Sequence, residues 1–326
     1  MVTVYFATNR NLIDDSGVIS FGSNFSQTDL GDLRFGQVEV DDETLDSSSI
    51  QLLPDDAAQG STALFRELRQ NMRSQSRDSI ILIHGFNVTF KDAIESAVQL
   101  QTRLAQLSNQ QYTPNIFVFS WPSNGKLFEY KDDRHDAQTS GYAFARGLEK
   151  LTRFLRSTSE GEACQQRVNL IAHSMGTYVL RHALQETQKI GGTRTLPRLF
   201  DNIILTAADE DNDAFEHEHK LARLPELGKQ VTVYFNTEDQ ALMISDVTKG
   251  NPDRLGQSGP SQPRQLPYKV VLVDVSDLVS TLKEHSYHVT NDHVVRDVIA
   301  VLQGQSPEAF SARRYIEHAN KFKLGR

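Results

Sequence analysis

The stretch Val168-Asn169-Leu170-Ile171-Ala172-His173-Ser174-Met175-Gly176 passes from an apolar run of strand length to a serine held between small residues. Thr177 to Gln188 follows at once, with Val179, Leu180, Ala183 and Leu184 at helical spacing on one face. Strand, serine and helix with almost nothing between them is the sequence form of a nucleophile elbow. In that turn a hydroxyl is lifted above the edge of a parallel sheet. The turn leaves little room two residues before and two after the serine, where Ala172 and Gly176 stand. A helix-capping serine has the same local look, so the reading depends on an acid and a histidine further along the chain.

Working outward, the same alternation recurs. Val2 to Ala7 reads as a first strand, Asn9 to Gly36 as polar loop with short strands, and Gln37 to Val40 as another strand. Ser61 or Thr62 can cap a helix through Gln75 with Leu64, Phe65 and Leu68 on its apolar face. Strands follow at Ser79–Ile83, Asn115–Ser120, Asn202–Ala207, Val231–Phe235 and Lys269–Val275, and helices at Lys91–Leu107, Gln138–Leu155 and Asp292–Leu302. These strands are continuously apolar rather than alternating. They are therefore buried on both sides, which predicts a mostly parallel central sheet with helices on both faces. Ligands of such sheets sit outside the carboxyl ends of the strands, and the polar clusters of this chain stand there. No repeat or linker divides the sequence, so residues 1–326 read as one domain. Within it, 209–228 is a candidate cap or lid, and the Pro- and Gly-rich 248–268 is a long loop that either borders the site or is a surface excursion.

The 326 residues carry a formal charge of −8 without a basic stripe, which argues against a nucleic-acid partner. No apolar run is long enough to span a bilayer, and the amino-terminal residues lack the pattern of a signal peptide. A cytoplasmic protein acting on a small molecule is the expectation. The lone Cys164 excludes an internal disulfide. Arg66, Arg69 and Arg73 read as the solvated side of their helix, since no glycine-rich phosphate loop accompanies them. Asp209 to Asp213 opens like a calcium loop, but Ala214 and Lys220 stand where glycine and glutamate are required. His217 and His219, two apart in a segment without strand character, are not expected to share a metal. No cofactor is expected.

Serine at its own pKa is a poor nucleophile. It needs a base to take its proton and a third group to orient that base, in the chain order serine, acid, histidine for an elbow of this kind. Asp239, just past Val231–Phe235, is the leading acid, and Asp209, past the preceding strand, is its rival. His285, His288 and His293 all follow Lys269–Val275. His285 is nearest the strand and His293 begins a helix. A tetrahedral oxyanion requires backbone donors: the Met175 N–H after the nucleophile, and the Phe86 N–H in the His84-Gly85-Phe86 loop. Gly85 would let the backbone approach the substrate, and His84 reads as structural. Asn87, Trp121 and Tyr287, in the strand-end segments, are candidates to line the pocket.

The segments I-L-I-H-G-F-N, F-S-W-P-S-N-G, A-H-S-M-G, T-A-A-D-E-D-N-D-A-F, Y-F-N-T-E-D-Q-A-L and E-H-S-Y follow in this order from Ile81 to Tyr287. Together they resemble the bacterial α/β-hydrolases catalogued as a domain of unknown function within the esterase/lipase superfamily. The resemblance implies the α/β-hydrolase fold, with Ser174 as nucleophile, Asp239 as acid and His285 as base. It favours His285 over His288 because Ser286-Tyr287 follow His285, as in the family. Glu284 departs from the glycine often found before that histidine. The family also shares Tyr130, Asp133 and Arg134 with an R-L-G at Arg254, which reads equally as buried ion pairs or as pocket lining. The expected activity is hydrolysis of a carboxylic ester through an acyl-enzyme. Amide or thioester hydrolysis on the same groups, and a non-catalytic binding protein on the same fold, remain open alternatives.

Overall fold

The computed structural model describes residues 2–26, 29, 32–41, 43–53, 59–124, 129–157, 164–192, 195–239, 241–242, 253–279 and 284–326. The strands are β1 (Val2–Thr8), β2 (Arg10–Asp15), β3 (Val18–Phe25), β4 (Arg34–Val40), β5 (Ile50–Leu53), β6 (Ser79–Ile83) and β7 (Asn115–Ser120). They continue as β8 (Val168–His173), β9 (Phe200–Thr206), β10 (Gly228–Phe235), β11 (Val270–Asp274), β12 (Arg313–Ile316) and β13 (Lys321–Leu324). The longer helices are α1 (Gln59–Gln75), α2 (Phe90–Leu107), α3 (Tyr130–Ser157), α4 (Gly176–Gly191) and α5 (Asp292–Leu302).

Eleven strands form one sheet in the order β12-β13-β11-β10-β9-β8-β6-β7-β1-β4-β5. From β13 to β1 every pairing is parallel, and β12, β4 and β5 pair antiparallel at the two edges. The apolar strands are buried on both sides because each face carries its own core. Ile83, Phe117, Phe119 and Leu170 pack with Phe65 of α1, Phe144 of α3 and Val179 of α4. Their alternating neighbours Leu82, Ile116, Val118 and Ile171 pack on the other face with Ile94 and Val98 of α2 and Val298 of α5. This is the two-sided, mostly parallel sheet that the continuous apolar runs require.

Several differences from the sequence reading are local. β2 and β3 pair as a separate two-stranded ribbon inside the segment read as loop. Helix α3 begins at Tyr130, two turns earlier than its apolar periodicity indicates. Strands follow α5, so Lys269–Val275 does not close the fold: β13 pairs beside β11, and β12 beside β13. Of the long loop, 248–252 lies outside the described residues. Within its continuation Arg254, Leu255, Gly256, Gly259 and Pro260 are buried, whereas 261–268 is largely exposed. A Cβ on Gly256 would meet the Ala208 N at 2.2 Å, so only glycine allows this approach. In 209–228, Ala214, Leu221, Leu224 and Leu227 belong to the core against α4. Among the described residues, no helix is long and apolar enough to cross a membrane.

Candidate active site

Ser174 stands between the end of β8 and the start of α4 at φ 51°, a left-handed conformation costly for a residue with a Cβ. Hydrogen bonds hold it there. Its N–H donates to the Thr206 carbonyl (3.0 Å), and its own carbonyl accepts from Thr177 (3.0 Å) and Asp209 (3.2 Å). Two glycines make the turn possible. A Cβ at Gly176 would lie 2.5 Å from the Ile83 oxygen, and one at Gly85 would lie 2.9 Å from the Ser174 Cβ. The His84-Gly85-Phe86 loop therefore packs directly on the serine. Among the described residues, the Phe86 and Met175 N–H groups make no hydrogen bond, so both expected oxyanion donors are uncommitted.

Asp239 follows β10 in a turn closed by its own N–H to the Asn236 carbonyl (3.1 Å), and its Oδ1 accepts from the Ala241 N–H (3.1 Å). Its Oδ2 is 2.9 Å from His285 Nδ1 and its Oδ1 3.2 Å. A carboxylate accepts, so Nδ1 carries the proton and Nε2 is left with its lone pair for an incoming proton. Among the described residues, the Ser174 hydroxyl makes no hydrogen bond. In unliganded sites the bond between hydroxyl and base is often long and tightens when substrate binds.

The segment bearing His285 is fixed from two sides. His173 Nε2–H donates to the His285 carbonyl (3.2 Å), and the two rings lie 4.9 Å apart. The His288 ring also packs against His173, at 4.7 Å. Burial, reinforced by the neighbouring imidazoles, pushes His173 well below the usual histidine range, and burial takes His288 down to about 3. Both are therefore neutral. The Tyr287 hydroxyl accepts from the Ala207 N–H (2.7 Å) and donates to the Tyr234 carbonyl (3.0 Å), tying this segment to the ends of β9 and β10.

The rival acid is engaged elsewhere. Asp209 accepts from the Tyr130 hydroxyl (2.6 Å) and faces Arg254 Nε at 3.4 Å and Arg134 Nη1 at 3.9 Å. Asp133, one turn into α3, binds the Ser123 hydroxyl and the Asn124 N–H (2.8 Å). Of the residues expected to line a pocket, Asn87 is half-exposed at φ 59°. Trp121 and Tyr287 are fully buried and stand behind the site. The Trp121 indole donates to the His84 carbonyl (2.9 Å) and stacks on the His84 ring. His84 is pushed down to about 3, chiefly by burial, and both its ring nitrogens meet backbone groups. His293 is exposed at the start of α5.

Residues 60–302 match the family described as alpha/beta hydrolase of unknown function (DUF900). The chain belongs to this family. Its mostly parallel sheet, covered by helices on both faces, is the α/β-hydrolase fold. An uncharacterized protein, alr1448, of Nostoc sp. (strain PCC 7120) is 30% identical over 126 residues, covering 33% of this chain and 31% of that protein. The chain thus spans about a third of the length of this curated relative. No solved structure matches it.

Within this α/β-hydrolase, sequence reasoning missed His173 as the residue that holds the His285 segment. Its only sequence signal is adjacency to Ser174, whereas its partner lies 112 positions away. His217 and His219, set aside because of their spacing, bring their rings within 5.3 Å, and His217 Nε2 meets Asp213 Oδ2 at 3.1 Å. Among the described residues, no group of three or more His, Cys, Asp or Glu side chains is arranged to hold a metal ion. Cavities of ≈ 400 Å³ beside Asp78 and Arg167 and of ≈ 330 Å³ among Phe65, Met72 and Phe154 open near the amino ends of the strands. Ser174 is at the opposite ends, where ligands of parallel sheets bind, so these cavities are not part of this site.

Proposed function

We propose that the protein is a serine hydrolase that cleaves carboxylic esters through an acyl-enzyme, with Ser174, His285 and Asp239 as its triad. Ser174 Oγ attacks the ester carbonyl carbon as its proton passes to His285 Nε2, and Asp239 stabilises the imidazolium through Nδ1–H. The negative charge formed on the carbonyl oxygen is received by the Phe86 and Met175 N–H groups. The C–O bond then breaks, and the alcohol leaves with the proton from His285. Water repeats the sequence on the acyl-enzyme, so ester and water yield acid and alcohol.

The observation that carries this reading is the His285–Asp239 hydrogen bond of 2.9 Å, on a segment whose His285 carbonyl is held by His173, the residue before Ser174. Membership of the family supports the fold on which such sites occur. We extend the reading to one domain over 1–326, supported by the sheet that runs continuously from β12 to β5, and to a cytoplasmic protein acting on a small-molecule ester.

The test is hydrolysis of p-nitrophenyl esters of increasing chain length by wild type and Ser174→Ala. The reading expects saturable turnover with a chain-length optimum, lost by at least 10³-fold in Ser174→Ala. Turnover equal in the two proteins would overturn it.

A further inference from the structure

Beside the elbow lies a group of half-buried side chains that the proposed acyl transfer does not use. Phe86, the residue of the proposed second oxyanion donor, packs edge-on against Tyr130 with ring centroids 5.5 Å apart. One turn along α3, the Arg134 guanidinium lies over the ring of Tyr178, 3.8 Å from its centroid. Tyr178 is on the first turn of α4, where its N–H donates to the Met175 carbonyl (3.0 Å). Phe86, Tyr130, Arg134 and Tyr178 are each partly exposed. They form an aromatic wall bearing Arg134, with a second guanidinium, that of Arg181, 5.3 Å from the Tyr178 centroid, and it joins the two loops supplying the proposed oxyanion donors.

A structural role for Arg134 as counter-ion of Asp209 accounts for only part of this arrangement. Asp209 already has the Tyr130 hydroxyl at 2.6 Å and Arg254 at 3.4 Å, whereas Arg134 stands 3.9 Å away. Glu210 is fully buried with Arg181 at 3.2 Å, and burial pushes its carboxyl up to about 7. Asp211 is met by Arg254 at 2.8 Å and Lys220 at 3.0 Å. Among the described residues, no carboxylate comes within hydrogen-bonding distance of Arg134. Its guanidinium gives Nη1 to the Tyr130 hydroxyl (3.4 Å), and among the described residues its other N–H groups make no hydrogen bond. A guanidinium offers paired donors suited to the two oxygens of a carboxylate.

We propose that Arg134 is the anion-binding residue of the substrate pocket, so that the ester cleaved by Ser174 carries a free carboxylate. This rests on the hydrolase reading for the chemistry but not for the binding. The substrate class is then a hemi-ester of a dicarboxylic acid, or an ester whose alcohol bears the carboxylate. Arg134 fixes that group while the ester carbonyl reaches Ser174.

The test compares mono-p-nitrophenyl succinate, glutarate and adipate with neutral p-nitrophenyl esters of equal carbon number. A second arm moves the carboxylate to the leaving group, as 3-carboxy-4-nitrophenyl butyrate. Wild type is expected to prefer the anionic ester in one arm by tenfold or more in kcat/KM, and that arm identifies which side carries the charge. Arg134→Gln should erase the preference and Arg134→Lys should keep part of it. Neutral esters preferred in both arms by wild type, or a preference unchanged in Arg134→Gln, would overturn the proposal. Wild type alone decides if Arg134→Gln does not fold. Calorimetric binding of monomethyl glutarate against dimethyl glutarate to Ser174→Ala reads the anion site without turnover. Monomethyl glutarate binding at least tenfold tighter, in a protein whose wild type hydrolyses no ester, would sustain the anion site and remove the hydrolase reading. Equal binding would overturn the anion site.

Discussion

Asp209 and Asp239 close neighbouring parallel strands, β9 and β10, and are almost equally buried, at 2% and 4% exposure. Their surroundings differ in kind. The turn after β10 presents Asp239 to an imidazole, His285, whose carbonyl is held by the neutral imidazole of His173. The turn after β9 presents Asp209 to guanidinium groups from α3 and from Arg254 and to the Tyr130 hydroxyl. A carboxylate paired with guanidinium groups stays a fixed charge over the working pH range, because arginine does not give up its proton. One paired with an imidazole can stabilise a proton that arrives and leaves. Two acids at equivalent strand ends are thereby separated by their partners into a structural carboxylate and one fit for proton-transfer chemistry.

The largest effect that could break this contrast is on turnover. Asp239→Asn, which leaves His285 without its acceptor, should lower kcat about 10³–10⁴-fold with little change in fold, measured on the best p-nitrophenyl ester. A loss under tenfold would move the acid elsewhere. Asp209→Asn should act on stability instead. It leaves buried Arg254 with a weaker partner and should cost about 3–5 kcal/mol in denaturant unfolding, while the folded fraction retains kcat within tenfold of wild type.

Acidification separates the two sides further. His84 and His288 are neutral in the folded protein, with pKa values lowered to about 3 by burial. The unfolded chain binds their protons first, near pH 6.5, so stability is intact above that value and falls as pH drops from 6.5 towards 3. The loss is on the order of 3 kcal/mol for each histidine at pH 4. Urea midpoints should therefore fall through this window, and His288→Phe should shallow the slope. An unchanged slope would show that His288 does not stay neutral in the fold. The smallest effect is that of His173→Gln. It weakens the hold on the His285 carbonyl and should lower kcat about tenfold with KM nearly unchanged, and it should displace the acid limb of the kcat–pH profile. An altered melting temperature alone, without that displacement, would make His173 purely structural.

Much of this arrangement was legible in the sequence, for reasons that also explain the omissions. Runs such as S-I-I-L-I and V-T-V-Y-F declare themselves because both faces are buried. The elbow is legible because Ala172 and Gly176 are the residues its tight turn admits. β5, β12 and β13 were not found, being four-residue edge or near-edge strands whose polar and charged positions carry no apolar run. The first two turns of α3, K-D-D-R-H-D after Tyr130, conceal a helix because their partners are distant: Ser123 and Asn124 for Asp133, Tyr178 for Arg134. Spacing ranked Asp239 over Asp209 without deciding between them. The positions of Arg134 and Arg254, set by the fold, are what occupy Asp209. The sequence reading makes Trp121 and Tyr287 candidates to line the pocket, whereas in the fold their polar atoms are spent on backbone groups, a use that composition does not reveal.

The most direct test of the central claim is to treat the folded protein with a fluorophosphonate probe and map the adduct by mass spectrometry. The account predicts a single adduct on Ser174, formed at least 10²-fold more slowly in His285→Ala. Folded protein left unlabelled at Ser174, or labelled equally fast without His285, would contradict it.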